Sequence, residues 1–219
     1  MAIAYSYDGN LYLAVTKRCT LSCVFCPKTH GRWVVADNDM SRDDEPDAAA
    51  LLDAALAADP SKHSEIAFVG LGEPTLRLPV VTHVGRALRR RGHHVRLVTD
   101  GLANLRFEAD ITPDLRGAID EVHVSLNAPD AETYAELCRS KHGTRAHEAV
   151  CDFIVKAQAE IPTVVATAVA LPNLDLDACR KLAENLGVPL RVRPYFHPVS
   201  GNPHEEPGSS LSDGIRHTG

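Results

Sequence analysis

The sequence predicts an α/β protein whose parallel sheet forms an incomplete, TIM-like (β/α)6 barrel. Short apolar runs rich in Val, Ile and Leu recur along the chain, and a helical pattern follows most of them. Such alternation implies right-handed crossovers between parallel strands. A complete eight-unit barrel takes about 250 residues, roughly 30 per unit. Because the chain has only 219 residues, six units fit its length and eight do not.

Turn and capping residues delimit the individual elements. Asp130 is a natural helix N-cap, and Gly92 and Gly187 stand where helix C-termini favour a left-handed residue. The predicted strands are residues 11–15, 65–70, 94–99, 121–126, 163–169 and 190–195. The predicted helices are residues 45–59, 78–92, 129–140, 147–160 and 175–187. A flavodoxin-like or Rossmann sheet has the same local pattern and differs only in strand order, so the sequence leaves that alternative open.

Composition indicates one globular domain with a core of its own. The chain is 44% hydrophobic and 24% charged, and its formal net charge is −6. A chain of this size buries roughly 70% of its unfolded surface and needs no structural metal to fold. The acidic balance argues against a dedicated nucleic-acid binder but leaves local basic patches open. We assign residues 1–197 to the core domain and the Pro-, Gly- and Ser-rich residues 198–219 to a mobile tail.

The sequence predicts a cytoplasmic protein without a membrane partner. The first ten residues carry neither a basic nor an apolar signal-peptide region, and the longest apolar stretch, residues 163–171, is too short to span a bilayer. Six cysteines without an export signal indicate a reducing compartment. There, clustered cysteines more often bind metal or carry out redox chemistry than form disulfides.

Three cysteines and a histidine follow the first predicted strand. The segment CTLSCVFCPKTH contains Cys19, Cys23, Cys26 and His30 at C-x3-C-x2-C-x3-H spacing. With His30 as fourth ligand the set closes a tetrahedral zinc site. Without it, three thiolates hold an iron–sulfur cluster with one iron open to another ligand. The spacing alone favours neither interpretation, although the functional face of a barrel is the one at the C-terminal ends of its strands.

A second motif follows the second predicted strand. In the segment VGLGEP, Gly70 and Gly72 allow a small molecule to approach the backbone closely, and Pro74 makes the turn rigid. Glu73 places a carboxylate at the strand end, where it suits the ammonium group of an amino-acid ligand. Together with the cysteine segment on the neighbouring strand, this motif favours a cofactor site.

The two motifs together resemble the radical S-adenosylmethionine (SAM) superfamily. CTLSCVFC matches the C-x3-C-x-aromatic-C signature of that family, and GLGEP is similar to its Gly-Gly-Glu-Pro element. The resemblance implies that Cys19, Cys23 and Cys26 hold three irons of a [4Fe–4S] cluster. The fourth iron would chelate the amino and carboxylate groups of the methionine part of SAM.

The resemblance also implies a set of SAM contacts. The segment VTDG is similar to a Thr-Asn-Gly turn of the family, with Asp100 replacing the usual Asn, and HVSLNAP is similar to its ribose-contacting segment. Amino-group contacts would come from the Gly-Glu-Pro element and adenine contacts from the aromatic residue of the cysteine motif and from the ends of the last two strands. The complete set is Phe25, Gly72, Glu73, Pro74, Thr99, Asp100, Ser125, Asn127, Val169, Leu171, Tyr195 and His197.

Longer stretches resemble one subgroup, the TatD-associated radical SAM proteins, whose substrate is not established. They are GNLYLAVTKRCTLSC, GEPTLRL, SLNAPDAETYAELCR and LGVPLRVRPY. The implied reaction is reductive cleavage of SAM to methionine and a 5′-deoxyadenosyl radical, which takes a hydrogen atom from an unidentified small-molecule or protein substrate. A flavodoxin or ferredoxin would supply the electron. Two alternatives stay open: an activase that installs a radical on a partner protein, and a non-catalytic zinc module using the three cysteines and His30.

Outside these motifs, pattern predicts burial for some residues and leaves others undecided. Cys138 and Cys179 share helix faces with apolar residues, which predicts ordinary buried positions. Arg191 and Arg193 alternate on one strand and therefore share a face. If that face is the barrel interior, they are candidates for binding an anionic substrate or the SAM carboxylate.

Overall fold

The computed structural model describes residues 3–35, 37–41 and 43–195. The strands are β1 (Ala4–Tyr7), β2 (Asn10–Ala14), β3 (Val34–Val35), β4 (Asn38–Asp39), β5 (Ile66–Val69), β6 (Val95–Thr99), β7 (Glu121–Ser125), β8 (Thr163–Val169) and β9 (Leu190–Arg193). The helices are α1 (Ala48–Ala57), α2 (Leu78–Arg89), α3 (Ala103–Phe107), α4 (Thr112–Leu115), α5 (Ala131–Cys138), α6 (Arg145–Ala157) and α7 (Leu176–Asn185).

Strand order decides between the two predicted architectures. The main sheet runs β1-β2-β5-β6-β7-β8-β9, and every pair from β2 onward is parallel. A Rossmann or flavodoxin-like sheet reverses its order at a switch point, whereas this order is strictly sequential. Right-handed crossovers between consecutive strands put all helices on the same side. The fold is therefore the predicted six-unit partial barrel, open between its first and last strands.

The two faces of the sheet differ in burial, as a partial barrel requires. The outer face carries Leu11, Leu13, Phe68 and Leu97, all fully buried beneath the helices. Fully burying a Leu or Phe side chain contributes about 1.5–3 kcal/mol relative to leaving it exposed. The inner face mixes buried residues such as Thr167 with half-buried ones such as Val98 and Ser125. This inner face is available for ligands at the strand ends.

All six predicted strands and all five predicted helices are confirmed, and capping residues explain their ends. The Asp130 side chain accepts a 2.8 Å hydrogen bond from the Thr133 backbone nitrogen at the start of α5. Gly187 has φ +80° just beyond α7. β1 was not predicted; it pairs with β2 through a tight turn at Asp8 and Gly9, both left-handed. Nor were α3, α4 and the short β3–β4 ribbon predicted.

Two predictions concern the ends of the chain and its surroundings. His197 and the predicted tail, residues 198–219, lie outside the described residues. Within the described part, no helix combines the length and apolar character that crossing a bilayer requires.

Candidate active site

The cysteine loop (residues 15–26) connects β2 to the rest of the site and is attached to the end of α5. Ser22 donates a 3.1 Å backbone hydrogen bond to the Cys138 carbonyl, and Val24 donates a 2.9 Å bond to the Leu137 carbonyl. The last carbonyls of a helix have no partner within the helix. The loop therefore caps α5, and α5 in turn fixes the position of the loop.

An ion-pair network holds the other end of the cysteine loop. Arg18 donates bonds of 2.7 and 3.0 Å to the Glu45 carboxylate, and Thr16 also donates to it. Arg77 lies 3.4 Å from the same carboxylate and donates a 3.2 Å bond to the Val15 carbonyl. The loop is thus fixed at both ends before any ligand binds.

The three loop thiols are partly buried and hold their protons. Burial, reinforced by the charge of Asp100, raises the pKa of Cys19 to about 12. Burial also raises the pKa of Cys26. A hydrogen bond with the Cys138 side chain, followed by burial, raises the pKa of Cys23. Metal ligation requires thiolates, so loading this site releases protons.

His30 binds the loop backbone. Its Nε2 lies 2.7 Å from the Val24 carbonyl, a contact that zinc ligation through this nitrogen would have to break. Across residues 3–35, 37–41 and 43–195, no three Cys, His, Asp or Glu side chains are arranged around a common point that could hold a metal ion as they stand. An iron–sulfur cluster is larger than a single ion and spaces its thiolates further apart. Three thiols on one loop, without His30 as a fourth donor, fit a cluster with one open iron.

Gly72 lets the turn after β5 pack on the cysteine loop. A Cβ atom at this position would lie 2.2 Å from the Thr16 carbonyl oxygen and 2.5 Å from that of Arg18. The next residue, Glu73, donates a 2.7 Å backbone hydrogen bond to the same Arg18 carbonyl. The close approach at Gly72 is therefore one with the chain's own backbone, and its expected contact with SAM stays a prediction.

Glu73 lies below the surface and already accepts four hydrogen bonds. Glu73 is only 3% exposed. Its Oε1 accepts bonds of 2.9 and 2.6 Å from the Thr75 nitrogen and hydroxyl and 2.8 Å from the Thr99 hydroxyl. Its Oε2 accepts a 2.6 Å bond from the Asp100 nitrogen. Oε2 accepts one hydrogen bond against three at Oε1, so it is the oxygen with more room for a further donor.

Asp100 adds a second buried carboxyl group beside Glu73. Its Oδ1 accepts a 2.9 Å bond from the Leu102 nitrogen, and its Oδ2 accepts from the Thr20 hydroxyl. Burial raises the pKa of Asp100, and burial together with the Asp100 charge raises the pKa of Glu73 to about 8. Both carboxyl groups lie near enough to raise the pKa of Cys19. A cation bound at this point would relieve the unfavourable burial of negative charge.

The predicted adenine contacts form one apolar cluster. Val169, Leu171 and Tyr195 are buried together, and Phe25 packs against them from the cysteine loop. A cleft of about 400 Å³ adjoins this cluster between the cysteine loop, α5 and the β8–α7 turn. The expected SAM contacts within the described residues thus include an acidic group near Cys19 and an apolar group that contains Phe25.

The ribose segment carries polar atoms without partners. Asn127 is buried in a left-handed conformation, φ +58°, and donates a 3.1 Å backbone bond to the Thr167 carbonyl. Within the described part of the chain, Asn127 Oδ1, Thr167 Oγ1 and Arg193 Nε have no hydrogen-bond partner. An unpaired buried polar group costs about 1–3 kcal/mol. These atoms lie on or beyond consecutive strands, and a polar ligand at this edge would satisfy them.

One participant was not recognised in the sequence, and a second was left undecided. Cys138 is fully buried, as predicted, but it also lies beside the Cys23 thiol and accepts a 3.6 Å contact from Asn127 Nδ2. Arg193, undecided from the sequence, has a buried, unpaired Nε and lies within electrostatic reach of Cys23, Cys26 and Cys138. No local pattern marks Cys138, because its partner comes from a distant part of the chain.

The fold and the three-thiol loop define an iron–sulfur enzyme on a partial barrel. The model of the family described as the Radical SAM superfamily matches residues 13–186, and the chain belongs to that superfamily. Its members are enzymes that use a [4Fe–4S] cluster and S-adenosylmethionine. Membership does not favour the zinc-module interpretation.

Known relatives are longer proteins. GTP 3',8-cyclase of Streptomyces coelicolor is 29% identical over 171 residues, which cover 77% of this chain and 46% of that protein. The tungsten-containing aldehyde ferredoxin oxidoreductase cofactor-modifying protein of Pyrococcus furiosus is 28% identical over 156 residues, covering 63% of this chain and 40% of that protein. The chain thus spans less than half the length of these two relatives.

Solved structures show the same fold. SuiB of Streptococcus suis bound to S-adenosylmethionine has a TM-score of 0.62 at 13% identity, covering 92% of this chain and 44% of that chain. The same protein bound to the precursor peptide SuiA has a TM-score of 0.60 at 13% identity, covering 86% of this chain and 40% of that chain. At this identity the similarity concerns the fold.

Proposed function

We propose that the chain binds a [4Fe–4S] cluster through Cys19, Cys23 and Cys26 and uses it to cleave SAM reductively. When bound, the cluster supplies the electron that splits SAM into methionine and a 5′-deoxyadenosyl radical, which takes a hydrogen atom from the substrate. The observation that carries this proposal is the buried Glu73–Asp100 pair beside the Cys19 thiol. It is an anionic pocket next to the proposed open iron.

The acidic pair is suited to the amino group of SAM. Glu73 Oε2 has room for a further donor, and its other contacts fix the carboxylate in place. An ammonium donor at this oxygen would pair with a carboxyl group that burial otherwise keeps protonated at neutral pH. Gly72, Pro74 and Thr99 position Glu73 against the cysteine loop and are retained in this proposal as cofactor contacts.

The apolar cluster around Phe25 is suited to the nucleoside. Phe25, Val169, Leu171 and Tyr195 provide an apolar surface for adenine. Ser125 and the unpaired Asn127 Oδ1 offer polar atoms to the ribose hydroxyl groups. His197 would extend this surface as the sequence predicts.

The substrate class, electron donor and location are proposed from the cysteine content and the family resemblance and not from contacts at the site. We place the enzyme in the reducing cytoplasm, because the six cysteines are free thiols. We assign a flavodoxin or ferredoxin as electron donor, because the described residues contain no second cysteine cluster near the site. The substrate is a small molecule or a protein. The resemblance to the TatD-associated subgroup is retained as part of this proposal.

Anaerobic reconstitution with iron and sulfide tests the proposed function. The reduced protein is incubated with SAM, and 5′-deoxyadenosine is measured together with iron and zinc content. We expect about four irons per chain and 5′-deoxyadenosine formation. A colourless protein with one bound zinc and intact SAM would overturn the proposal.

Two substitutions separate the cluster from the zinc alternative. Cys23→Ala should abolish iron binding because it removes a ligand. His30→Ala should retain the iron, because His30 contacts the Val24 carbonyl instead of serving as a ligand. If the wild-type protein binds zinc and His30→Ala loses it, the result would support the zinc module.

A further inference from the structure

Arg193 stands at the inner edge of the sheet, where the last parallel strand ends. It pairs in register with Val169 of β8, and its carbonyl accepts a 2.9 Å bond from the Ala170 nitrogen. Val169 packs in the apolar cluster that contains Phe25 of the cysteine loop. The backbone thus fixes Arg193 next to the cysteine loop. Arg191 lies two residues earlier on the same strand and is exposed.

The side chain of Arg193 carries a charge that the described residues leave uncompensated. Its Nε is buried and without a hydrogen-bond partner, and no carboxylate of the described part lies within ion-pair distance. The thiols of Cys23, Cys26 and Cys138 lie within electrostatic reach of its guanidinium and would attract it as thiolates, while Arg191 adds a like charge. Burial lowers the pKa of Arg193 from its usual range. A cationic side chain with a buried, unpaired Nε–H is in an unfavourable environment, and an anion beside it would relieve this.

The cysteine sulfurs near Arg193 indicate that the anion is the iron–sulfur cluster they would hold. Three thiolates on a [4Fe–4S] core give a net negative group, and one-electron reduction adds a further negative charge. A guanidinium next to that group stabilises the reduced state more than the oxidised state, because electrostatic attraction grows with the charge. Charge and hydrogen bonds to the sulfurs are established means of setting cluster potentials.

We propose that Arg193 is a positioning residue for the cluster, compensating its negative charge through the unpaired Nε–H and favouring its reduced form. This inference rests on the proposed function. The alternative anion for Arg193 is a carboxylate, either of SAM or of an acidic substrate. If Arg193 binds that carboxylate, replacing it should leave the cluster potential unchanged in the absence of SAM and substrate, which distinguishes the carboxylate from the cluster.

Potentiometric titration with dithionite, monitored by EPR in the absence of SAM, tests the inference. Reconstituted wild-type protein is compared with Arg193→Gln, Arg193→Lys and the control Arg191→Gln, each checked for iron and sulfide. We expect Arg193→Gln to lower the reduction potential of the cluster by at least about 59 mV, which is a tenfold change in the equilibrium constant of a one-electron couple. Arg193→Lys should retain most of the wild-type potential, and Arg191→Gln should shift it by much less than Arg193→Gln.

The remaining outcomes are decisive as well. An unchanged potential in Arg193→Gln with a raised SAM dissociation constant would overturn the inference in favour of a SAM carboxylate site. Unchanged potential and SAM affinity together would leave Arg193 no role at the cluster. If Arg193→Gln loads no iron, loading of Arg193→Lys supports the need for charge, and failure of both variants overturns the inference. Failure of the wild-type protein to bind iron would overturn the proposed function itself.

Discussion

The Cys23 thiol of the cysteine loop lies beside the Cys138 side chain at the end of α5, and this neighbour raises the pKa of Cys23. Cys138 is fully buried, and its own sulfur also receives the Asn127 amide at 3.6 Å. The backbone repeats the connection, because Ser22 donates to the Cys138 carbonyl at 3.1 Å. One residue of α5 therefore supports the loop through both its main chain and its side chain.

Cys138→Ala should keep the cluster but make it more labile. The substitution removes the partner of Cys23 and leaves a small cavity, so we expect a loss of about 1–2 kcal/mol in the free energy of unfolding. Cys179→Ala is the matched control, since Cys179 is equally buried but lies on α7. Iron loss in the presence of a chelator should be faster only in Cys138→Ala. Equal rates in both variants would contradict a supporting role.

Gly72→Ala should disrupt the site much more than a glycine replacement elsewhere. Its Cβ would lie 2.2 Å from the backbone oxygen of Thr16, which cannot rotate away. Gly92→Ala is the control, because a Cβ there meets nothing within 4 Å and costs only the left-handed conformation, about 1–2 kcal/mol. We expect Gly72→Ala to lose clearly more stability in urea unfolding and to bind less iron. Wild-type iron content in this variant would show that the loop tolerates displacement.

Asp100→Asn should reduce the pH dependence of stability in the metal-free protein. In the folded chain the pKa of Glu73 is raised from 4.5 to about 8. Between these values the native state binds more protons than the unfolded state, so stability falls as pH rises through this window. Removing the Asp100 charge brings the pKa of Glu73 closer to its usual value. Melting temperatures between pH 5 and 8.5 should therefore fall less steeply in the variant, and an unchanged slope would exclude coupling of the pair.

Glu73→Gln should weaken SAM binding while leaving the cluster in place. A hydrogen bond to a charged group contributes about 1.5–3 kcal/mol, so the SAM dissociation constant should rise roughly tenfold to hundredfold. Glu160→Gln is the control, since Glu160 pairs with Arg116 beyond α6, away from the cysteine loop. Equilibrium binding of SAM to the reconstituted proteins measures the effect. Wild-type affinity in Glu73→Gln would place the amino group elsewhere.

The strands and helices could be predicted because their determinants are local. Alternating apolar residues such as Leu11 and Leu13 specify β2, and Asp130 specifies the start of α5. The cysteine motif could be recognised for the same reason. The arrangement around it could not, because it joins distant segments: the Cys23–Cys138 contact, the burial of Glu73 and the backbone contact of Gly72 all depend on tertiary packing.

The attachment of the cysteine loop to α5 has a consequence for biosynthesis. The loop leaves the ribosome early, whereas its attachment points, the Leu137 and Cys138 carbonyls, are translated much later. At about 5–20 residues per second, the nascent thiols pass several seconds without their anchor. We therefore expect cluster delivery to be productive only on chains completed beyond α5, so that translation itself sets the earliest time at which the enzyme can mature.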